Sequence, residues 1–486
     1  MDTSREIKED SSFNMTLLIL VIGLVGIGGA LLLNNIPLFG MIIALPLLCI
    51  TCILLLKYPW FILFVIFTIN YFILGITRYI PIEGVSVIMD ILYVTALVLL
   101  SIHAALYQNI EWKRAIHPLS VMCCIWMGYC IFEIANPSGV LEAWILSRGL
   151  IFNGFIIVII TSLLCTRYSF LKSLIFCLSL FTLLAITKTF MQKYIGFDSF
   201  ETKWLNEGGA TTHIIWSGVR YFSFFTDASN MGANMGAATM FFGIAAFHMR
   251  SYLCRIYYLS IAILAIYAMF LSGTRGAMIV PLAGLALYTF VSKQTKTIIT
   301  SSTLLLLTYV FFALTTIGNS NATIRRMRTA FTPTEDASFN VRKENQKKLA
   351  SYMKYKPFGE GLGLSGDRAG ERISKRFTTS IPTDSWYVKI WVETGAVGLT
   401  LYLSMIFLSI GWGGWIIAMR LRDPELTGLL CGIFGMFINA YGNSFWGQFP
   451  TMVISFTGLT FIMVGPYLDQ EIQEKKSTDS NIKHHD

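Results

Sequence analysis

Two arginines and one aspartate in this chain have surroundings that could support chemistry. Arg220 belongs to the stretch Val219-Arg220-Tyr221-Phe222-Ser223-Phe224-Phe225-Thr226-Asp227-Ala228-Ser229-Asn230. Its aromatic neighbours offer a partly dry wall, and an arginine–anion pair is strong where water is excluded. Asp227, Ser229 and Asn230 are all good N-cap residues for a helix starting there. Arg275 lies in Ser272-Gly273-Thr274-Arg275-Gly276-Ala277, a very short turn between two apolar runs. Glycine on each side lets the backbone approach a ligand closely, although an arginine at a membrane surface can also simply reach for headgroups. Asp384 opens the stretch Thr383-Asp384-Ser385-Trp386-Tyr387-Val388-Lys389-Ile390-Trp391-Val392-Glu393-Thr394-Gly395. Read as a helix, this puts Asp384, Tyr387, Val388 and Trp391 on one face and pairs Lys389 with Glu393 on another. Asp384 either caps that helix or accepts a proton from a substrate.

Other polar residues give weaker signals. Lys356-Pro357-Phe358-Gly359-Glu360-Gly361-Leu362-Gly363 has glycine at alternate positions and predicts a tight, irregular turn that shapes its loop. Without a strand before it and a helix after it, it is not a nucleotide loop. Asp90, Glu133, Arg148 and Lys188 fall in or at the ends of apolar runs, where charges are functional candidates by default. Glu133 and Arg148 stand near the same ends of adjacent runs, in position to pair. His213 is a lone loop histidine, more often incidental than functional. No arrangement has metal-ligand spacing, and no nucleophile elbow or phosphate-binding loop occurs, so neither metal nor cofactor is expected.

The elements that position these residues are membrane helices. Apolar residues make up 55% of the 486 and charged residues only 13%, about half the charge of a soluble domain; the mean hydropathy is +0.62. The apolar residues fall in runs about 20 long, enough to cross roughly 30 Å of hydrocarbon. Backbone in lipid must satisfy its own hydrogen bonds, so these runs are helices. The polar, acidic segment Met1–Asn14 is not a signal n-region, so Met15–Leu33 is expected to be a retained span. The expected fold is an all-α polytopic membrane protein of 12–14 spans, near residues 15–34, 36–56, 59–77, 85–107, 116–135, 142–165, 170–192, 229–248, 253–272, 276–292, 297–317, 396–417, 426–444 and 450–467. All nine cysteines lie in or beside apolar runs, which argues against a disulfide framework and a cysteine metal site.

With the N-terminus inside, the short inside loops carry Lys57, Lys113, Arg114, Arg167, Arg250, Arg255, Lys293, Lys296, Arg420 and Arg422. The short outside loops hold chiefly Arg78 and Arg275, which is the positive-inside pattern. Two long loops, 193–228 and 318–383, then face outward. The second holds 13 Lys+Arg against 6 Asp+Glu, seven of the chain's nine net positive charges. That charge suits either a solvated, headgroup-facing loop or a site for an anionic ligand. Nucleic acid is not an expected partner.

In order, these stretches resemble the O-antigen ligase/polymerase family, whose members handle undecaprenyl-diphosphate-linked glycans. Arg220 with its aromatics and Asp227 to Asn230 is similar to that family's R-x-(S/G)-x-F-x-(D/N)-x-N stretch. Ser272 to Ala277 resembles S-x-(S/T)-R-G-A. Asn340-Val341-Arg342 through Pro357 to Gly363 resembles R…P-x-x-G-x-G. Asp384-Ser385, Gly395 and Gly398 resemble H-(N/S/Q)-x9-G-x2-G. The likeness covers about 205–400. One position departs from it: the family's histidine, the favoured base, is Asp384 here. An aspartate is the weaker base, with a reference pKa near 3.9.

The resemblance implies a lipid-dependent glycosyltransferase in the bacterial inner membrane, with its site at the periplasmic face and no metal in the reaction. A glycan would pass from undecaprenyl diphosphate, with inversion, to an acceptor glycan or lipid A–core. Arg220 and Arg275 would hold the diphosphate, helped by loop arginines such as Arg342, and Asp384 or His213 would take the proton. Tyr387 and Lys389 are further candidate substrate contacts. The division implied is 1–192, N-terminal helices; 193–417, the catalytic region with both loops; 418–467, C-terminal helices; and 468–486, a cytoplasmic tail. Ligase, polymerase and protein oligosaccharyltransferase stay open. A flippase without chemistry is the rival, but it would place its charges along the spans rather than in one outer loop.

Overall fold

The computed structural model describes residues 56–469 apart from 81–83, 109, 216–217, 332–336 and 367. The expected spans at 15–34 and 36–56 lie essentially outside the described residues. The other twelve are all helical. Numbering the spans alone, they are α1 Phe61–Ile76, α2 Val85–Tyr107, α3 Pro118–Phe132, α4 Gly154–Leu164, α5 Tyr168–Tyr194, α6 Ala228–His248, α7 Tyr252–Leu271, α8 Ile279–Ser292, α9 Thr295–Tyr309, α10 Trp386–Ile416, α11 Pro424–Asn439 and α12 Thr451–Val464. Among the described residues seven helices are long and apolar enough to cross a membrane, and four are shorter and apolar. The protein is an all-α polytopic membrane protein. Contacts divide the chain into residues 1–62 with 98–108, and 63–97 with 109–486; all that follows concerns the second unit.

The starts of the helices follow from local sequence. Asp227 Oδ1 accepts from the backbone N–H groups of Ser229 (2.7 Å) and Asn230 (3.0 Å), capping α6. Asp423 does the same for α11, where Pro424 stands at the first helical position. Proline costs nothing there, because that N–H has no intrahelical partner.

Helix α6 carries buried asparagines and several glycines among its apolar residues, and most of it is enclosed by protein. It packs on α7, α8 and α11. Asn230 and Asn234 are buried in it and hydrogen-bond to each other and to Thr451 at the start of α12. A helix surrounded by protein need not be apolar to lie in a membrane, provided its polar atoms are paired. Backbone contact between α8 and α11 is so close that a Cβ on Gly435 would stand 2.1 Å from the Val280 carbonyl oxygen.

Arg148 pairs with Asp90 and Ser86 on α2, not with Glu133. The expected Glu133–Arg148 pair is therefore corrected. Glu133, at the end of α3, instead accepts from Asn136 three residues on, at 2.8 Å. Lys188 is held by Asp198 (2.9 Å) and Glu201 (3.0 Å).

Both long loops are folded. The first contains helical turns at Ser199–Trp204 and Ala210–His213 and a two-stranded hairpin in which Ile214 pairs with Val219. The second contains helices Ala322–Arg328, Ala337–Met353, Arg368–Ile373 and Phe377–Ser380. The glycine-alternating segment locks this second loop onto α10. Glu360 and Gly361 donate to the carbonyls of Val392 (2.8 Å) and Glu393 (3.0 Å), and Val397 donates to Pro357 (3.2 Å). α10 breaks its helical geometry at Gly395 (φ 67°, ψ −170°), where a Cβ would stand 1.9 Å from the Pro357 oxygen.

Candidate functional site

The site begins with the loop that carries Arg220. Arg78 lies under it, with its guanidinium 4.5 Å from the Phe222 ring centroid and 4.7 Å from that of Trp204. It donates to the carbonyls of Ser223 (2.7 Å), Phe225 and Thr226 (3.3 Å). Burial lowers its pKa to about 10, so it stays charged at neutral pH. Gln192 Oε1 accepts from the backbone N–H groups of Phe222 (3.3 Å) and Ser223 (3.0 Å). Three carbonyls and two N–H groups of a short loop are thus fixed by two side chains.

His213 belongs to this scaffold. It is buried, its Nδ1 faces the Gly209 carbonyl at 2.9 Å, and its Nε2 accepts from the Ala228 N–H at 3.2 Å. Burial pushes its pKa down, which suits a neutral ring with one donor and one acceptor nitrogen. With both nitrogens occupied, His213 offers no atom to a substrate in this structure.

Held in this way, Arg220 donates to Thr212 O (3.1 Å) and Thr274 Oγ1 (2.8 Å), while its buried Nε has no partner. Burial lowers its pKa; Asp227 opposes this, and the charges of Arg342 and Arg275 lower it further. Arg275 starts the 3-10 turn Arg275–Met278 leading into α8 and donates to Thr329 Oγ1 at 2.9 Å. Gly273 between them has φ +58°, and a Cβ there would stand 3.1 Å from Arg220 Cγ and 3.3 Å from Arg326 Nη1. Arg326 therefore joins the group, a residue that sequence reasoning did not single out. The basic run of Ala322–Arg328 was visible, but which of its three arginines turns toward the site depends on where the helix docks.

Arg342 links this cluster to the aspartate. It donates to Gly442 O (2.8 Å), its Nε lies 3.6 Å from Asp384 Oδ2, and that buried Nε makes no hydrogen bond. Asp384 is not the cap of α10. Ser385 is, with its hydroxyl accepting from the Val388 N–H at 3.4 Å. That leaves the Asp384 carboxylate half-exposed beside Arg342.

Tyr387 and Lys389 turn elsewhere. The Tyr387 hydroxyl donates to Phe437 O, and its ring packs against that of Phe437. Lys389 faces buried Glu393 at 3.4 Å, which also accepts from Ser365 at 2.5 Å. Of the sequence candidates, the structure gathers Arg220, Arg275, Arg342 and Asp384, while His213, Tyr387 and Lys389 lie in the surrounding framework.

Several partly buried guanidinium groups held near one another repel. Such a group becomes favourable when an anion with several oxygens enters, because each charge-assisted bond is stronger where water is partly excluded. One carboxylate at the edge, tied to one of these arginines, adds a proton acceptor. The arrangement can bind a diphosphate-like anion and deprotonate a hydroxyl beside it.

The comparison with curated proteins returned no match. The family model for O-antigen ligase matches residues 260–403, from the middle of α7 through the loop helices to the first turns of α10 beyond Gly395. Over residues 260–403 this membrane protein is therefore similar to the O-antigen ligase family.

Proposed function

We propose that this protein transfers a glycan from undecaprenyl diphosphate to an acceptor hydroxyl. The observation that carries the reading is the convergence of Arg220, Arg275 and Arg342, with Asp384 held 3.6 Å from Arg342. In the proposed step the acceptor oxygen attacks the anomeric carbon from the side opposite the diphosphate. The carbon–oxygen bond to the diphosphate breaks, and its electron pair leaves with undecaprenyl diphosphate. The acceptor proton passes to the Asp384 carboxylate. Inversion follows from a single displacement. The arginines stabilise the charge that grows on the leaving group, an interaction stronger in the transition state than in the bound donor. The reading is metal-independent, with guanidinium charge as the neutralising group.

In this reading residues 193–417 form the catalytic region between N-terminal helices (1–192) and C-terminal helices (418–467), with a cytoplasmic tail after them. The site faces the periplasm from the bacterial inner membrane. The acceptor decides between an O-antigen ligase and a polymerase. The deciding experiment is deletion in the native host, followed by analysis of surface glycan and lipid-linked intermediates. Lipid A–core without any O-chain means ligase, and core with one repeat means polymerase. Unchanged glycan together with an unchanged lipid-linked pool would refute glycan transfer.

A further inference from the structure

Helix Ala337–Met353 shows two different faces along one turn pattern. Lys343, Glu344, Lys347 and Lys348 are exposed. Arg342, Asn345, Gln346 and Leu349 follow at positions i, i+3, i+4 and i+7, one face of a helix. These four line a groove against the start of α10, where Asp384 and Val388 form the other side. Lys343, Glu344, Lys347 and Lys348 thus look outward, while the two neutral amides look inward beside Arg342. Asn345 and Gln346 are half-buried, and among the described residues neither carboxamide has a hydrogen-bond partner in the chain. Arg342 Nε, buried in the same groove, has none either. The apolar part is firm: Leu349 packs with Ile381, Val388, Trp391 and Val392.

We propose that this groove is the acceptor site and that the acceptor is a sugar, bound by Asn345 and Gln346. A sugar hydroxyl both donates and accepts, and a carboxamide offers both functions from one planar group. A sugar ring also has an apolar C–H face, which can rest on half-buried Val388, with buried Leu349 supporting it from below. The one cation of the groove, Arg342, is already paired with Asp384, and the lysines of the helix look outward, so the groove offers a neutral acceptor its two amides. The proposal rests on Asp384 as the base: a hydroxyl held by the two amides lies beside that carboxylate, with Arg342 separating it from the donor's diphosphate.

The test uses the full-length protein and the Asn345→Ala/Gln346→Ala double variant, with two readouts. One is glycan transfer in the complemented deletion strain at equal membrane levels. The other is binding of undecaprenyl diphosphate to the purified protein in detergent. Alanine is the best helix former, so the helix itself is not weakened. The double variant is expected to bind undecaprenyl diphosphate like the wild type, to lose roughly tenfold or more in transfer, and to accumulate lipid-linked glycan, as fits the loss of two hydrogen bonds. Wild-type transfer by the double variant would overturn the acceptor site. So would loss of diphosphate binding, since the groove would then shape the cation cluster instead. Glycan found on a protein side chain would overturn the sugar assignment. Failure of the wild type to bind undecaprenyl diphosphate would count against the donor reading, independently of these outcomes.

Discussion

Asp384 is the residue on which the proposed mechanism turns, and its surroundings make it testable. Because Ser385 supplies the cap of α10, Asp384 can be changed without removing that cap. Its ion pair with Arg342 is half-exposed at 3.6 Å, and such pairs contribute about 0–1 kcal/mol. Asp384→Asn should therefore leave the protein folded yet lose most transfer, since an amide cannot take the proton. Asp384→His should retain transfer if the position does the work of a histidine base. Transfer by the Asn and His variants, compared at equal membrane levels, decides it, and an active Asn variant would end the assignment. His213 would not be its replacement, because both its ring nitrogens are taken by the backbone. Arg275 allows a second measurement. Hydrogen bonds to charged groups contribute about 1.5–3 kcal/mol, so Arg275→Ala should weaken undecaprenyl diphosphate binding about ten- to a hundredfold and abolish transfer. Arg275→Lys should remain poor, because an ammonium cannot make the forked contact. Wild-type affinity in the Ala variant would remove Arg275 from the site. At this scale the sequence exposed the arginines with special neighbours, aromatic for Arg220 and glycine for Arg275. It did not expose Arg326, whose neighbours along the chain are ordinary and whose place is set by docking beside Gly273.

The elements place these residues through contacts that no local pattern reveals. Gly359, Gly361 and Gly363 all have positive φ, which their alternation already suggested. What they serve lies far along the chain: Gly359 abuts the break in α10, where a Cβ would stand 2.5 Å from Gly395 N, while Gly361 and Gly363 stand against Gly139 and Ala143. Gly395 adopts φ 67° with ψ −170°, a region essentially confined to glycine and costing about 1–3 kcal/mol for another residue. Its Cβ would also meet the Pro357 oxygen at 1.9 Å, whereas a Cβ on Gly411 in the same helix would have nothing within 4 Å. Gly395→Ala should therefore lower the thermal midpoint in detergent and, by displacing the 357–363 loop, reduce transfer; Gly411→Ala should change neither. Equal midpoints for the two variants would show that the loop lock is not needed. Helix boundaries were legible because hydropathy and caps are local. The depth of α6 was not, because its buried asparagines and glycines read as weakly apolar until α7, α8 and α11 are known to surround it. Nor was folding within the 318–383 loop visible beneath its charge, because burial of Leu349 and Met353 depends on α10 and its neighbours.

At the scale of the whole molecule, the ends of the helices sort by charge and by chemistry. At one end lie the contacts of the site: Arg220 with Thr274, Arg342 with Gly442, and the 357–363 loop on α10. At the other end, short turns carry Lys293 beside Met419 and Arg420 beside Asp469. Short-loop cations are retained on the cytoplasmic side, while long loops cross largely regardless of charge. The net positive loop 318–383 can therefore lie on the outer side although the smaller basic turns stay inside. This orientation also agrees with the chemistry we propose, since a lipid-linked glycan needs no nucleotide and its diphosphate lies at the membrane surface. The prediction that follows treats the molecule as a whole. Cysteine placed at exposed Ser320, in the turn after α9, should react with an impermeant thiol reagent in intact spheroplasts; cysteine at exposed Gln294, in the turn between α8 and α9, should react only after lysis. The two positions are separated by a single span, so they must label oppositely whatever the orientation. Native cysteines cannot produce that opposition, because both variants share them and the parent protein gives their background. The reverse pattern, with Gln294→Cys reactive in intact cells, would place the arginine cluster in the cytoplasm and remove the site from any periplasmic glycan.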